Sequence, residues 1–327
     1  MGCRKILAAA LAATVLTFGT VSTASAADDA YPQRSITMLC AWGAGGGSDA
    51  VARMIAGIME KDLGQPIKVV NQTGGGGNIA FSSLMRAKPD GYTIGQVTAE
   101  LAMNHWQNPA VKITYADFEP LALVNLDAAT VTISATAPYK TYEEFVQYIK
   151  DNPGKVRAAS TSVGGIWHIA MGQWLTALGL PTNAITWIPT SGAAEAMKEM
   201  AAGGVDAAFA QLSECATMYQ TGKAIPLAVM ADKRDPKYPD VPTLKELGVD
   251  VSIGTWRGFA VPKGTPDDIK ARLTAAIKKA ASDPQFTTFM QERGFGATYV
   301  EGADFYKFME KSDADLGNAI KALGLAR

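Results

Sequence analysis

Two hydrophobic periods alternate along the chain, and their order implies layers of strand and helix. Residues Ser35-Ile36-Thr37-Met38-Leu39-Cys40-Ala41 are nearly continuous in apolar or β-tolerant side chains, as a parallel strand covered on both faces requires. A glycine run follows. From Val51 onward Met54, Ile55, Ile58, Met59 and Leu63 recur at helical spacing, and Gly64 stands where helices commonly end in a left-handed residue. Positions 67–70 predict a second strand, 79–87 a short helix, and 92–97 a third strand introduced by the turn Pro89-Asp90-Gly91. Alternation of this kind predicts an α/β layered domain.

The pattern returns in the middle of the chain. Strands are expected at 156–160, 185–190, 205–211 and 225–231, separated by helical stretches around Tyr142, Ile169, Met197 and Met218. Positions 251–262 again read as strand, with Gly254 inside. Helices are then expected near 269–281, 285–293 and 303–323, the first opened by Thr265 as cap and Pro266 at the first helical position. These helices leave no strand sequence to form a sheet of their own, so they are expected to return and cover the first lobe. The expected fold is α/β with two lobes: lobe 1 is discontinuous, 27–127 plus 253–327, and lobe 2 spans 128–252. Two crossing segments, near 123–133 and 251–261, would form a hinge.

Composition changes the picture mainly at the N-terminus. With 48% hydrophobic and 19% charged residues over 327 positions, the chain has material for two medium cores. Arg4 and Lys5 precede an apolar run over 6–21 and the small residues Ala24-Ser25-Ala26, the pattern of a signal peptide at 1–26 cleaved after Ala26. The run is shorter than the roughly 20 residues a membrane span needs, so the expected location is the periplasm. Cleavage would take Arg4 and Lys5 from 30 basic residues set against 31 acidic ones, leaving a net charge of −3 that argues against a nucleic-acid partner. Only Cys40 and Cys215 would remain, and both are expected to be unpaired, partly buried thiols.

The candidate chemistry lies in two glycine runs. Trp42-Gly43-Ala44-Gly45-Gly46-Gly47-Ser48-Asp49 joins the first strand to the first helix, and Thr73-Gly74-Gly75-Gly76-Gly77-Asn78 joins the second strand to the second helix. Both would lie at the carboxyl edge of one sheet, where free backbone amides and a helix dipole favour an anion. Each run taken alone is equally well read as a tight turn that needs positive φ. Neither completes G-x-G-x-x-G, because Ser48 or Ile79 stands in the last glycine position, and no Walker sequence occurs.

At these residues the chain resembles the Bug or TctC family, the periplasmic receptors of tripartite tricarboxylate transporters. The resemblance rests on Tyr31-Pro32, Gly45-Gly46-Gly47-Ser48-Asp49, Leu63-Gly64-Gln65-Pro66, Gly76-Gly77-Asn78 and Pro89-Asp90-Gly91-Tyr92-Thr93. It continues through Asn152-Pro153-Gly154-Lys155, Gly203-Gly204-Val205-Asp206, Val241-Pro242-Thr243 and Gly254-Thr255-Trp256-Arg257-Gly258. It implies a Venus flytrap periplasmic-binding-protein architecture whose first-lobe loops grip a small organic carboxylate through backbone amides and the Ser48 hydroxyl, without a dedicated cationic pocket. The carboxylate could be a di- or tricarboxylate, or an aromatic or amino-acid carboxylate. The first-lobe contacts implied are Trp42, Ala44, Gly45, Ser48, Gly75, Gly76 and Asn78. The second-lobe contacts are Thr161, Ser162, Gly164 and His168, with Ser191 and Asp206. Val163 and Gly165 depart from the family pattern, and Ser191 stands where a basic residue is frequent. Trp42 could lie along an apolar ligand body or pack in the core beside the cleft. Asp206 aligns with an acid near the cleft, where it could organise the loop or accept a ligand hydroxyl. The implied partner is an inner-membrane permease with a large and a small subunit, and the receptor is expected to be a monomer.

An enzymatic reading finds less support. Only His105 and His168 exist, and no zinc-like Cys/His spacing occurs, so no metal or cofactor is expected. Ser48 sits in Gly46-Gly47-Ser48-Asp49-Ala50, one glycine short of a nucleophile elbow. Glu195 and Glu214 read as solvated charges, and Asp49 as a residue that caps or opens the first helix. The expected function is carboxylate capture for transport, with no catalytic residue. A receptor feeding a sensor kinase and a periplasmic serine hydrolase are the alternatives.

Overall fold

A computed structural model describes residues 31–190 and 192–327, so the expected signal peptide and Ser191 lie outside the described residues. The first strand–helix units form as their periodicity requires. Strand β1 (Ile36–Cys40) leads into α1 (Gly47–Leu63), β2 (Ile67–Asn71) into α2 (Asn78–Met85), and β3 (Thr93–Thr98) into a 3-10 turn over 99–102 and the single turn α3 (Asn104–Gln107). Helix α1 buries Val51, Ile55, Ile58, Met59 and Leu63 on one stripe and stops at Gly64, whose φ of 67° is left-handed. β1 pairs in parallel with β2 and β3, which puts the loops after all three strands on one edge of the sheet.

The chain then changes sheet. Strand β4 (Phe118–Ala128) runs through Ala129 into β5 (Thr130–Ser134). There follow α4 (Tyr142–Asp151), β6 (Val156–Ala159), α5 (Ile166–Ala177), β7 (Ile185–Ile188), α6 (Ala193–Ala201), β8 (Ala207–Ala210), α7 (Leu212–Gln220) and β9 (Ala224–Val229). Strand β10 (Gly254–Pro262), helices α8 (Asp267–Ala281) and α9 (Pro284–Arg293), strand β11 (Ala297–Glu301) and helix α10 (Gly302–Ala322) complete the chain. The first sheet has the order β11-β4-β10-β3-β1-β2, and the second β7-β6-β8-β5-β9. The molecule is thus an α/β protein with two lobes, one on each sheet.

Backbone hydrogen bonds knit the two crossings together: Ala129 N–H donates to Ile253 O at 2.9 Å, Met230 N–H to Ala129 O at 2.8 Å, and Ile253 N–H to Met230 O at 3.0 Å. Helix α10 lies against β4 and α5, so it touches both lobes. Its end approaches Gly172 so closely that a Cβ there would fall 2.4 Å from Leu323 Cδ2.

Three expectations need correction. The C-terminal region does contain a strand, β11, which pairs antiparallel with β4 at the edge of the first sheet. Its Thr298, Tyr299 and Val300 carry β preference, but five residues between helices give too short a run to stand out. Thr265 is not the helix cap: Pro266 takes that position, and the Thr265 hydroxyl donates to Pro262 O at 2.8 Å to close the preceding turn. The two thiols are unpaired but fully buried rather than partly so, and burial pushes the Cys215 thiol up to about 12. No helix among the described residues is long and apolar enough to cross a membrane.

Candidate functional site

The edge of the first sheet carries a row of polar groups in strand order. Arg257 on β10 is in register with Thr98 on β3 and Asn125 on β4, and Trp42 follows β1 beside them. Helix α1 starts directly above this row. Its first residues carry no side-chain cap, and the amides of Gly47, Ser48 and Asp49 have no acceptor among the described residues. A 17-residue helix therefore presents three unspent donors and the positive end of its dipole to the cleft.

Asp49 shapes the loop instead of capping the helix. Its carboxylate accepts from Gly45 N–H at 2.9 Å, from Asn71 Nδ2 at 2.8 Å and from Arg53 Nε at 3.0 Å. Those bonds outweigh the cost of its burial and lower its pKa. One consequence is that the Gly45 amide is occupied, whereas Ala44 and Gly45 are otherwise exposed as a binding loop requires.

Beneath α1 lies a residue that sequence reasoning did not place in the site. The Arg257 Nε donates to Ser48 Oγ at 2.9 Å, and Nη1 donates to Asn125 Oδ1 and, at 2.6 Å, to Asp127 Oδ2. Arg257 and Asp127 are both buried, so the pair adds a strong donor array with no net charge. The Arg-Gly signal of 257–258 lies in a strand remote in sequence from the glycine runs, and only sheet pairing brings it under Ser48. Ser48 therefore accepts from an arginine and has no histidine partner.

The second glycine run forms a turn in which Gly74, Gly75, Gly76 and Gly77 all have positive φ. Asn78 Nδ2 donates to Gly75 O at 2.6 Å and Asn104 Nδ2 to Gly76 O at 2.7 Å. With those carbonyls held, the Gly75 and Gly76 amides are left without acceptors. Gly77 is also sterically required, since a Cβ would sit 2.9 Å from Phe81 Cε2. Trp42 divides its roles: the half-buried indole packs on the core and its Nε1 reaches Thr98 Oγ1 at 3.4 Å.

In the second lobe the loop after β6 opens α5. His168 is buried and its Nδ1 accepts from Gly164 N–H at 3.1 Å, with its ring centroid 4.9 Å from that of Trp187. Burial lowers the His168 pKa, which keeps the ring neutral and able to accept. Trp187 Nε1 and Thr190 N–H hold the Thr161 carbonyl, and Ser162 is exposed. The hydroxyls of Ser160 and Thr161 are buried with no partner among the described residues, and no side chain among those residues caps the start of α5. Gln107 Nε2 crosses from the first lobe to donate to Gly164 O at 3.0 Å. This contact brings the loop at 161–165 to the same cleft as the turn at 75–77.

Asp206 lies elsewhere. It precedes β8, where its carboxylate accepts from Arg157 N–H, Nε and Nη2 at 2.9–3.2 Å. β6 and β8 run parallel, so this pair marks the edge of the sheet opposite Ser160, and the expected place beside the cleft is not where the fold puts it. Glu214 is the acid that faces the first lobe. It caps α7 through Gln211 N–H at 3.2 Å, and the neighbouring Ser213 would lie 2.7 Å from a Cβ on Gly294. Although solvent reaches Glu214, the surrounding protein and the charge of Asp127 push its carboxyl up to about 7 against the pull of the Gln211 N–H bond and, more weakly, of Arg257. Among the described residues no group of His, Cys, Asp or Glu could hold a metal ion. His105 pairs with Asp313 at 3.0 Å, far along the chain from either loop.

Residues 51–325 match the profile of the tripartite tricarboxylate transporter family receptor, TctC. A UPF0065 protein of Bordetella pertussis is 30% identical over 309 residues, 93% of this chain and 94% of that one. A TctC solute-binding protein from Polaromonas, solved without ligand, superposes with a TM-score of 0.80 at 35% identity, covering 89% of this chain and 99% of the other. The MatC protein of Rhodopseudomonas palustris with bound malate superposes at 0.72 with 27% identity, covering 89% and 100%.

Proposed function

The chain belongs to the TctC family of tripartite tricarboxylate transporter receptors, which are solute-binding proteins, and on that premise we propose that it captures a small organic carboxylate and hands it to a membrane permease. The observation that carries this reading is the convergence of unspent donors on one cleft. The amides at the start of α1 and at Gly75 and Gly76 face a loop whose Ser160 and Thr161 hydroxyls have no partner. Buried polar groups without partners are costly, so donors left open on two facing lobes are matched to an acceptor-rich guest. The malate found in MatC is such a guest.

The first lobe binds one ligand carboxylate. Amides of Gly47 and Ser48 and the Ser48 hydroxyl donate to it, and the Ser48 oxygen is oriented for this by Arg257. Thr161, Ser162 and the start of α5 close over the distal end. Each neutral hydrogen bond contributes roughly 0.5–1.5 kcal/mol net, so several acting together are needed for micromolar affinity near about −8 kcal/mol. Closure around the guest is the signal that a permease, or in a second arrangement a sensor, would read. Export through residues 1–26 fits this role. The test is to denature the purified protein, identify any released small molecule by mass spectrometry, and measure melting temperatures across a carboxylate panel. A carboxylate that is both released and stabilising is expected; turnover of an ester or amide with no response to any carboxylate would refute the reading.

A further inference from the structure

We propose that Glu100 selects ligands that carry a cationic nitrogen together with their carboxylate, as amino acids do, over carboxylates that lack one. This rests on the carboxylate-capture reading and narrows its ligand class. Glu100 lies in the turn over 99–102 that leaves β3, and this turn packs against the glycine turn at 75–77. Thr98 Oγ1 donates to Glu100 Oε2 at 2.6 Å, and Trp42 Nε1 in turn reaches Thr98 Oγ1 at 3.4 Å. The carboxylate is therefore held in place from the loop that opens α1, on a turn that packs beside the glycine turn at 75–77.

Charge accounting singles it out. Asp49 is matched by Arg53 at 2.9 Å and Asp127 by Arg257 at 2.6 Å. Among the described residues no cation lies within ion-pairing distance of Glu100, and Arg257, one strand away, is already committed to Asp127. Glu214 adds a second acid from the other lobe without a cation of its own. Burial raises the Glu100 pKa against the pull of the Thr98 hydroxyl, its own amide and, beyond ion-pairing distance, the charge of Arg257. A half-buried carboxylate left uncompensated in the empty protein costs free energy that an incoming ammonium would recover. A dicarboxylate would instead bring like charge beside it.

The experiment uses purified protein freed of bound ligand by unfolding in guanidinium and refolding. Titration calorimetry and melting shifts compare pairs that differ only in the amino group: aspartate with succinate, glutamate with glutarate, and phenylalanine with 3-phenylpropanoate. In the unmutated protein the amine-bearing member of at least one pair is expected to bind about 10- to 100-fold more tightly, the range for a hydrogen bond to a charged group. Glu100→Gln should erase that preference while keeping its melting transition. Equal or tighter binding of the members without nitrogen overturns the proposal and leaves carboxylate capture standing. An amine preference that survives in Glu100→Gln also overturns it. If no member of any pair binds, the carboxylate reading falls and this inference falls with it. The ratio in the unmutated protein decides the ligand class even if the variant does not fold.

Discussion

Arg257 donates in three directions from a buried position, to Ser48, Asn125 and Asp127, so its removal would strand a carboxylate and an amide in the interior. Arg257→Ala is expected to cost about 3–5 kcal/mol, the range for breaking a buried pair by deleting one partner, read as a lower urea midpoint. Ser48→Ala leaves the Arg257 Nε without its acceptor, so it should lower that midpoint by the equivalent of about 1–3 kcal/mol, less than Arg257→Ala, and weaken the carboxylate roughly 3- to 10-fold in calorimetry. Asp206 provides the contrast. Its bonds with Arg157 lie at the far edge of the second sheet, so Asp206→Ala should lower stability and leave ligand affinity unchanged; an affinity loss would return Asp206 to the cleft. Glu214 gives a pH signature. Its folded pKa near 7 lies above the ordinary 4.5, so the folded state binds the extra proton and stability falls as pH rises from about 4.5 through 7. Glu214→Gln should therefore melt higher than the parent at pH 8, with the gap closing by pH 5. Ser48 and the glycines were legible at this scale because their chemistry is local. Arg257, Glu100 and Glu214 were not, since a charge says nothing of its surroundings until the sheets are assembled.

At the level of elements, the junctions matter more than the helices and strands they join. The opening of α1 was readable from a strand, a glycine run and a helical period in succession, and the opening of α5 from Gly164-Gly165 before an apolar stretch. What could not be read was how the loop before α5 is held. Gly164 has a φ of +80°, its amide is taken by His168, its carbonyl by Gln107, and a Cβ would fall 2.2 Å from Gln107 Oε1. Gly164→Ala is thus expected to push Gln107 away and lower ligand affinity about tenfold, with a stability loss of roughly 1–3 kcal/mol from the strained backbone. An unchanged affinity would mean that this interlobe contact does not shape the site. Strand β11 escaped notice because its partner β4 comes some 170 positions earlier, as the bond from Asn125 to Gly296 spans |i−j| = 171. Edge strands of five residues are specified by their neighbour as much as by their own side chains.

For the whole molecule, the two crossings and helix α10 decide how the lobes can move. Backbone bonds at Ala129, Met230 and Ile253 tie the crossings together, so closure would pivot there while α10 keeps its contacts to both lobes. A ligand that binds only the folded state at 100 times its Kd adds about 2.7 kcal/mol, which for a protein of this size raises the melting temperature by roughly 4 °C. Small-angle scattering should show a smaller radius of gyration on ligand addition; an unchanged radius with a raised melting point would mean binding without closure. The sequence by itself determined the α/β class, the repeat of strand–helix units in two lobes, the position of both glycine runs at strand ends and the family. These depend on periodicity, backbone permissiveness and residue order, all of which are properties of short stretches. Only the tertiary structure decided which charges are matched, which donors remain unspent and that Arg257 underlies Ser48 while Glu100 has no ion-pair partner among the described residues, because pairing and burial arise between strands that are distant along the chain.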